Sequence, residues 1–193
     1  MKILTILFLL MFGSIYVFGQ EEENDVDDSL NISGYISPFL QTTNMMTQSY
    51  FLGGTGAIFI DQNFFLGGFG MTMANYYKTD RGIYSGNELD IGGGGIIMGY
   101  VFYHASKVHP IITLWGGGGS LSLSDKDKVR NKEAYDDFLW INGTIEIEYK
   151  PIRFIAIGAG VHYQKISGLV LNGYTEKDFS GTGFYVNIKV GIL

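Results

Sequence analysis

Apolar and polar residues alternate with a period of two through the second half of the chain, which is the pattern of a β-strand with two different faces. In residues 137–149 one face is aliphatic or small and the other is mostly polar. The first face comprises Leu139, Ile141, Gly143, Ile145, Ile147 and Tyr149, and the second Trp140, Asn142, Thr144, Glu146 and Glu148. Residues 153–165 and 181–193 alternate in the same way. No helical periodicity appears after Leu30.

Eight such stretches, separated by polar or turn-forming residues, predict eight strands. They are 31–42, 49–60, 64–77, 89–103, 110–123, 137–149, 153–165 and 181–193. Strands of soluble proteins most often have about five or six residues. Tilted strands that cross a bilayer need about nine to eleven. The lengths therefore favour a membrane barrel.

The connections between the predicted strands alternate in length. Asp61–Asn63, Ala105–His109 and Lys150–Ile152 are short, whereas Lys78–Glu88, Ser124–Asp136 and Ser167–Ser180 are long and polar. The first connection, Thr43–Gln48, is short where a long one would fit. Outer-membrane barrels have short periplasmic turns and longer extracellular loops, so the alternation predicts an up-and-down barrel with both chain ends on the short-turn side.

Alternation alone does not say whether the aliphatic face points outward or inward. A soluble lipocalin-like barrel would carry it inside and would need a charged exterior. Only 17% of the chain is charged, residues 31–60 carry no charge, and few charges fall in the predicted strands. Aromatic residues also gather toward strand ends, where amphipathic rings favour the membrane interface. We therefore expect the aliphatic face to meet lipid, and Pro38 argues against a transmembrane helix in residues 31–60.

Glycine recurs within the predicted strands, as in Gly53–Gly56, Gly67–Gly70, Gly92–Gly95 and Gly116–Gly119, and totals 28 residues. Because mid-strand glycine weakens an ordinary sheet, its repetition suggests the crowded, sharply coiled strands of a narrow barrel. A nucleotide-binding glycine loop would need a following helix and a Walker lysine, and neither is present.

The first residues predict export. Lys2 precedes an apolar run, Ile3–Met11, and small residues follow, so residues 1–20 are interpreted as a cleaved signal peptide. Residues 21–29 form an acidic leader that we expect to be solvated, and the barrel occupies residues 30–193. The net charge of −6 argues against nucleic acid as a partner. The absence of cysteine excludes disulfides and a thiolate metal site.

Taken together, the signal peptide, the glycine-rich strands and the terminal strand Gly183–Leu193 resemble the small eight-stranded outer-membrane barrel proteins, such as the OmpA membrane domain and OmpX. That family commonly ends with an aromatic residue on the lipid face, whereas this chain ends with Leu193. The resemblance implies an all-β, eight-stranded antiparallel up-and-down transmembrane barrel in the outer membrane of a Gram-negative bacterium. We expect outer-membrane lipid as a partner, with another outer-membrane or surface protein as a second candidate, while the resemblance itself implies a location rather than a specific function.

Candidate chemistry is sparse, and no catalytic, cofactor-binding or metal site is predicted. Charged residues expected to face the lumen suggest an ionic network that stabilises and plugs the barrel, with a proton relay as the alternative. Its candidate members are Asp90, Glu146, Glu148, His162 and Lys189. Lys126, Lys128, Arg130 and Lys132 lie on one predicted outer loop, where they could contact lipopolysaccharide phosphates or simply be solvated.

Two further functions remain open alongside a non-enzymatic structural, surface-interaction or accessory role. A soluble carrier of a hydrophobic ligand would follow from the lipocalin-like arrangement. A lipid-modifying outer-membrane enzyme would need Ser/His chemistry, but His162 has no serine two residues on and nothing resembles a nucleophile elbow.

Overall fold

A computed structural model describes residues 33–75, 77–78, 86–124, 134–171 and 173–192, which form antiparallel strands and one short 3-10 helix, Glu176–Phe179. The strands are β1 (Gly34–Asn44), β2 (Gln48–Phe59), β3 (Phe64–Met73), β4 (Tyr77–Lys78), β5 (Glu88–Val101), β6 (Val108–Ser124), β7 (Ala134–Ile152), β8 (Ile155–Ser167) and β9 (Gly181–Ile192). In this part of the chain no helix is long and apolar enough to cross a bilayer. The predicted signal peptide, the acidic leader and the four basic residues between positions 126 and 132 lie outside the described residues.

The strands close into a barrel. Each long strand pairs antiparallel with the next long strand along the chain, and β3 pairs directly with β5 because β4 has only two residues. The pairing of β1 with β9 closes the barrel. Because β4 only extends the edge beside β5, the closed wall contains eight strands. The predicted fold class is therefore confirmed.

The strand boundaries depart most from prediction around β7. This strand runs to Ile152, through a register irregularity between Tyr149 and Ile152, and the turn is Arg153–Phe154. The predicted break at Lys150–Ile152 is thus wrong. Pro151 has no backbone N–H to donate to a neighbouring strand, so the sequence predicts that the strand ends before it. The register irregularity allows the strand to continue past the proline.

The aliphatic face points outward. Ile145, Ile157 and Ile188 are 57%, 49% and 49% exposed, whereas Glu146 and Lys189 beside them are buried. A lipocalin-like barrel would have the reverse arrangement, so the structure opposes that reading. The exposed aliphatic band is the kind of surface that outer-membrane barrels present to hydrocarbon.

Packed side chains fill the middle of the barrel. The ring centroid of Trp115 lies 5.0 Å from that of Phe69, 5.2 Å from that of Phe39 and 5.7 Å from that of Tyr185, all near edge-to-face. Trp140, from the neighbouring strand, packs edge-on against Phe51 at 5.6 Å. We call these six residues the aromatic plug. An eight-stranded interior is just wide enough for side chains to fill it, and aromatic rings do so here.

The two ends of the barrel differ. At the long-loop end, Leu171, Tyr174 and Phe179 of the connection between β8 and β9 are buried in the same apolar cluster as the aromatic plug. The amide N–H of Met46 donates to the Asp178 carbonyl at 2.9 Å, which ties this loop to the connection between β1 and β2. At the other end the turns are short. In one of them the amide N–H groups of Phe64 and Asn63 donate to Asp61 and hold the pKa of its carboxyl below the usual range.

Candidate functional site

The buried glutamate and lysine side chains inside the barrel lie on β7 and β9. Alternation explains why, because the inward positions of β7 read Trp140, Asn142, Thr144, Glu146 and Glu148. On β9 the inward positions Tyr185, Asn187 and Lys189 are likewise buried. These strands are separated by β8, so side chains from β7 and β9 must meet across it.

Two glycines on β8 make that meeting possible. Gly158 lies between Glu148 and Asn187 in the strand register, and Gly160 lies between Glu146 and Tyr185. A Cβ atom on Gly160 would lie 2.8 Å from the Cβ of Glu146, and one on Gly158 would lie 2.7 Å from the Asn187 side-chain oxygen. The inner face of β8 is therefore empty where the charged side chains cross it.

An ionic cluster occupies this space. Lys189 Nζ donates to Glu146 Oε1 at 2.6 Å and to Glu148 Oε2 at 2.5 Å. Asn187 Nδ2 donates to Glu146 Oε2 at 2.9 Å, and His109 Nε2 lies 2.9 Å from Glu148 Oε1. All four carboxylate oxygens thus have a partner, as buried carboxylates require. We call Glu146, Glu148, Lys189, His109 and Asn187 the ionic cluster.

His109 closes the ionic cluster at its short-turn end. Its Nδ1 lies 2.9 Å from the Ser106 carbonyl oxygen and its Nε2 lies 2.9 Å from Glu148 Oε1, so both ring nitrogens face oxygen atoms. These two contacts fix the orientation of the ring between β7 and the turn that precedes β6.

The structure brings together only part of the predicted network. Glu146, Glu148 and Lys189 meet, but Asp90 lies on the outer face of β5 and is exposed, because the inward position there is Leu89. His162 is buried inside, yet its Nε2 lies 2.8 Å from the Thr42 carbonyl oxygen and touches none of the three ions. Including Asp90 and His162 in the network was therefore wrong.

His109 was missed because sequence analysis began its strand at residue 110 and left the histidine in a turn. Its spacing held the missing signal. His109, Ile111, Thr113 and Trp115 are successive alternate residues, and all are buried on the inner face of β6. Extending that alternation back by one step would have placed the histidine inside, opposite Glu148, with which it pairs in the register.

A second polar group, without charge, lies toward the long-loop end. Asn142 Nδ2 donates to Gln41 Oε1 at 3.1 Å, and Gln41 Nε2 donates to Gln164 Oε1 at 3.2 Å. Gln164 Nε2 also donates to the Phe179 carbonyl at 3.1 Å, so the buried amides hold the loop that covers this end. In the described part of the chain, no three His, Asp or Glu residues are grouped as they would need to be to bind a metal ion.

No family model matches this chain, and no curated protein does. Solved structures do. Neisserial surface protein A superposes with a TM-score of 0.62 at 10% identity, over 82% of this chain and 96% of that one. The chain has the fold of a small outer-membrane β-barrel.

Two other outer-membrane barrels match at a TM-score of 0.52. The N-terminal barrel domain of Pseudomonas aeruginosa OprF is 11% identical, over 82% of this chain and 96% of that one. Ail, the attachment invasion locus protein of Yersinia pestis, was solved with the heparin analogue sucrose octasulfate and is 12% identical, over 84% of this chain and 99% of that one. At these identities the likeness shows the barrel fold alone.

Proposed function

We propose that this chain is a non-enzymatic outer-membrane protein that serves as a closed membrane-embedded scaffold and interacts through its ends. The filled lumen carries the proposal. Trp115 and Trp140 are 2% and 1% exposed, and the aromatic plug to which they belong occupies the middle of the interior. A barrel of this kind offers partners its outer wall and its loops, not a channel.

The outer wall supports lipid as the first partner. It presents an aliphatic band with exposed aromatic side chains toward both ends, including Tyr103 and Tyr149 at one end and Tyr163 and Phe184 at the other. Aromatic girdles flanking an apolar band match the two interfaces of a bilayer. We place the short turns in the periplasm and the loop 168–180 outside the cell.

Catalysis by a lipid-facing Ser/His pair has no support in the described residues. His162 points into the barrel, where Thr43 Oγ1 lies 3.5 Å from its Nε2 and the Thr42 carbonyl lies closer. A lipid-modifying enzyme needs its histidine on the surface that lipid reaches, with a nucleophile beside it.

Epitope insertion tests the proposed placement. A tag inserted at Gly173, in the loop between β8 and β9, should be labelled by antibody on intact cells. A matched tag between Asp61 and Gln62 should be labelled only after the outer membrane is permeabilised. The protein should fractionate with the outer membrane and migrate differently in gels before and after boiling. Labelling of the Asp61 tag on intact cells, or recovery as a soluble periplasmic protein, would overturn the proposal.

The lipopolysaccharide contact belongs to the same proposal and is supported by sequence alone. The four basic residues of the predicted outer loop would face phosphates of the outer leaflet. Replacing Lys126, Lys128, Arg130 and Lys132 by glutamine should lower the amount of lipopolysaccharide that copurifies, while Lys107→Gln on a short turn should not. Equal copurification of both variants would remove the contact from the proposal.

A further inference from the structure

A cavity of about 260 Å³ opens at the short-turn end of the barrel. Its floor is the ionic cluster, represented by Glu148, Lys189 and His109, each of which is at most 4% exposed. Phe65 and Ile111 form part of its apolar wall, and His104 and Lys150 line it near the turns. We call this space the vestibule.

One ammonium group in the vestibule has little hydrogen bonding. In the floor, the carboxylate oxygens of Glu146 and Glu148 are engaged by Lys189, Asn187 and His109. Lys150 is half-buried and takes no part in these contacts, since the structure gives its ammonium one hydrogen bond, to the His104 carbonyl oxygen at 3.4 Å. A partly enclosed ammonium with one long contact is poorly compensated, and a bound anion would satisfy it.

The surroundings of the vestibule have the same sign. Lys107 and Arg153 are exposed on the adjacent short turns. Among the described residues of those turns the one carboxylate is Asp61, and the amide N–H groups of its own turn already engage it. Among the described residues of these turns, basic side chains therefore outnumber acidic ones, although the chain as a whole carries −6.

We propose that the vestibule binds a small carboxylate or phosphate that carries an apolar body. The anionic group would pair with the Lys150 ammonium, and the apolar body would contact Phe65 and Ile111. The ligand could be a free small acid or the terminal carboxylate of a peptide chain, since both present this chemistry. Its access from the periplasm rests on the proposed function, but binding itself does not.

Benzoate and phenyl phosphate are suitable probes, with benzyl alcohol as the uncharged control. In the folded barrel in zwitterionic micelles, titration with either anion should shift the backbone amide signals of Val101 and Ile111 in a saturable way, and benzyl alcohol should not. Lys150→Gln should weaken binding at least tenfold. Lys165→Gln, an exposed lysine near the opposite end, should leave binding unchanged. The boiling-dependent gel shift of each variant shows that it is folded.

Two peptides distinguish the sources of the ligand. An acetylated dipeptide ending in phenylalanine with a free carboxylate should bind more tightly than benzoate if the natural ligand is a chain end. Its amide should not bind. Tighter binding of benzoate would instead indicate a free small acid. Unchanged affinity in Lys150→Gln, equal binding of benzyl alcohol, or no saturable shift would overturn the proposal while leaving the placement in the membrane intact.

Discussion

The inward-facing residues of this barrel are constrained by the side chains that they contact across the lumen. Lys189 is the clearest case, because its ammonium lies between Glu146 and Glu148 and 5.3 Å from the centroid of the Tyr35 ring. Removing one ion from such a cluster leaves its partners buried without compensation. The free energy of unfolding then falls by more than the intact cluster contributes to it, because no partner offsets the desolvation cost of the remaining buried charges.

Replacement of Lys189 by methionine should therefore destabilise the barrel by about 3–5 kcal/mol, since two buried carboxylates lose their shared cation. Glu146→Gln should cost less, because Lys189 keeps Glu148 and the glutamine can still accept from Asn187. Urea unfolding in lipid vesicles measures both. Lys165→Met, on the outer face, is the matched control and should be nearly silent. Equal stability of Lys189→Met and the native chain would rule out a stabilising role for the ionic cluster.

Strands are constrained by how closely they approach their neighbours, and β6 shows this on adjacent residues. A Cβ atom on the inward Gly117 would lie 2.2 Å from the Gly94 carbonyl oxygen on β5. On the outward Gly116 it would have no heavy atom within 4 Å. The first glycine is required by close strand approach, and the second is not.

Gly117→Ala should therefore destabilise the barrel by about 1–3 kcal/mol, the usual cost of overpacking. Gly116→Ala should be neutral or slightly stabilising, because alanine restricts the unfolded chain and meets no neighbour. The difference between their urea midpoints is the informative quantity. Identical midpoints would mean that the two faces of β6 are equally open.

The strands β7, β8 and β9 could be read correctly from sequence, including which face is which, because their inner positions are mostly polar or small. The faces of β2, β5 and β6 could not be distinguished. Their inner positions are largely apolar too, with Phe51, Ile97 and Trp115 inside and Leu52, Ile96 and Leu114 outside. When both faces of a strand are apolar, period-two alternation does not show which face points inward. The aromatic plug therefore could not be predicted from the sequence, because the strand register decides which of these side chains meet.

At the scale of the whole molecule, the aromatic plug predicts a barrel that does not conduct. Planar lipid bilayers containing the purified protein should show no discrete conductance steps, because ring contacts of 5.0–5.7 Å around Trp115 fill the lumen. Replacing Trp115 and Phe69 together by alanine removes the central rings of the plug and should lower the stability of the barrel, because it leaves a cavity in the packed interior. Regular steps from the native chain would show that the plug moves aside.

The account depends on lipid contacting the aliphatic side of the wall. The chain contains no cysteine, so a single spin label can be introduced without removing any residue of that type. Labels at Ile145, Ile157 and Ile188 in reconstituted bilayers should relax strongly with oxygen, which enriches in hydrocarbon, and weakly with a water-soluble nickel chelate. The reverse, strong relaxation by the nickel chelate at all three positions, would show that water covers this face and would contradict a membrane barrel.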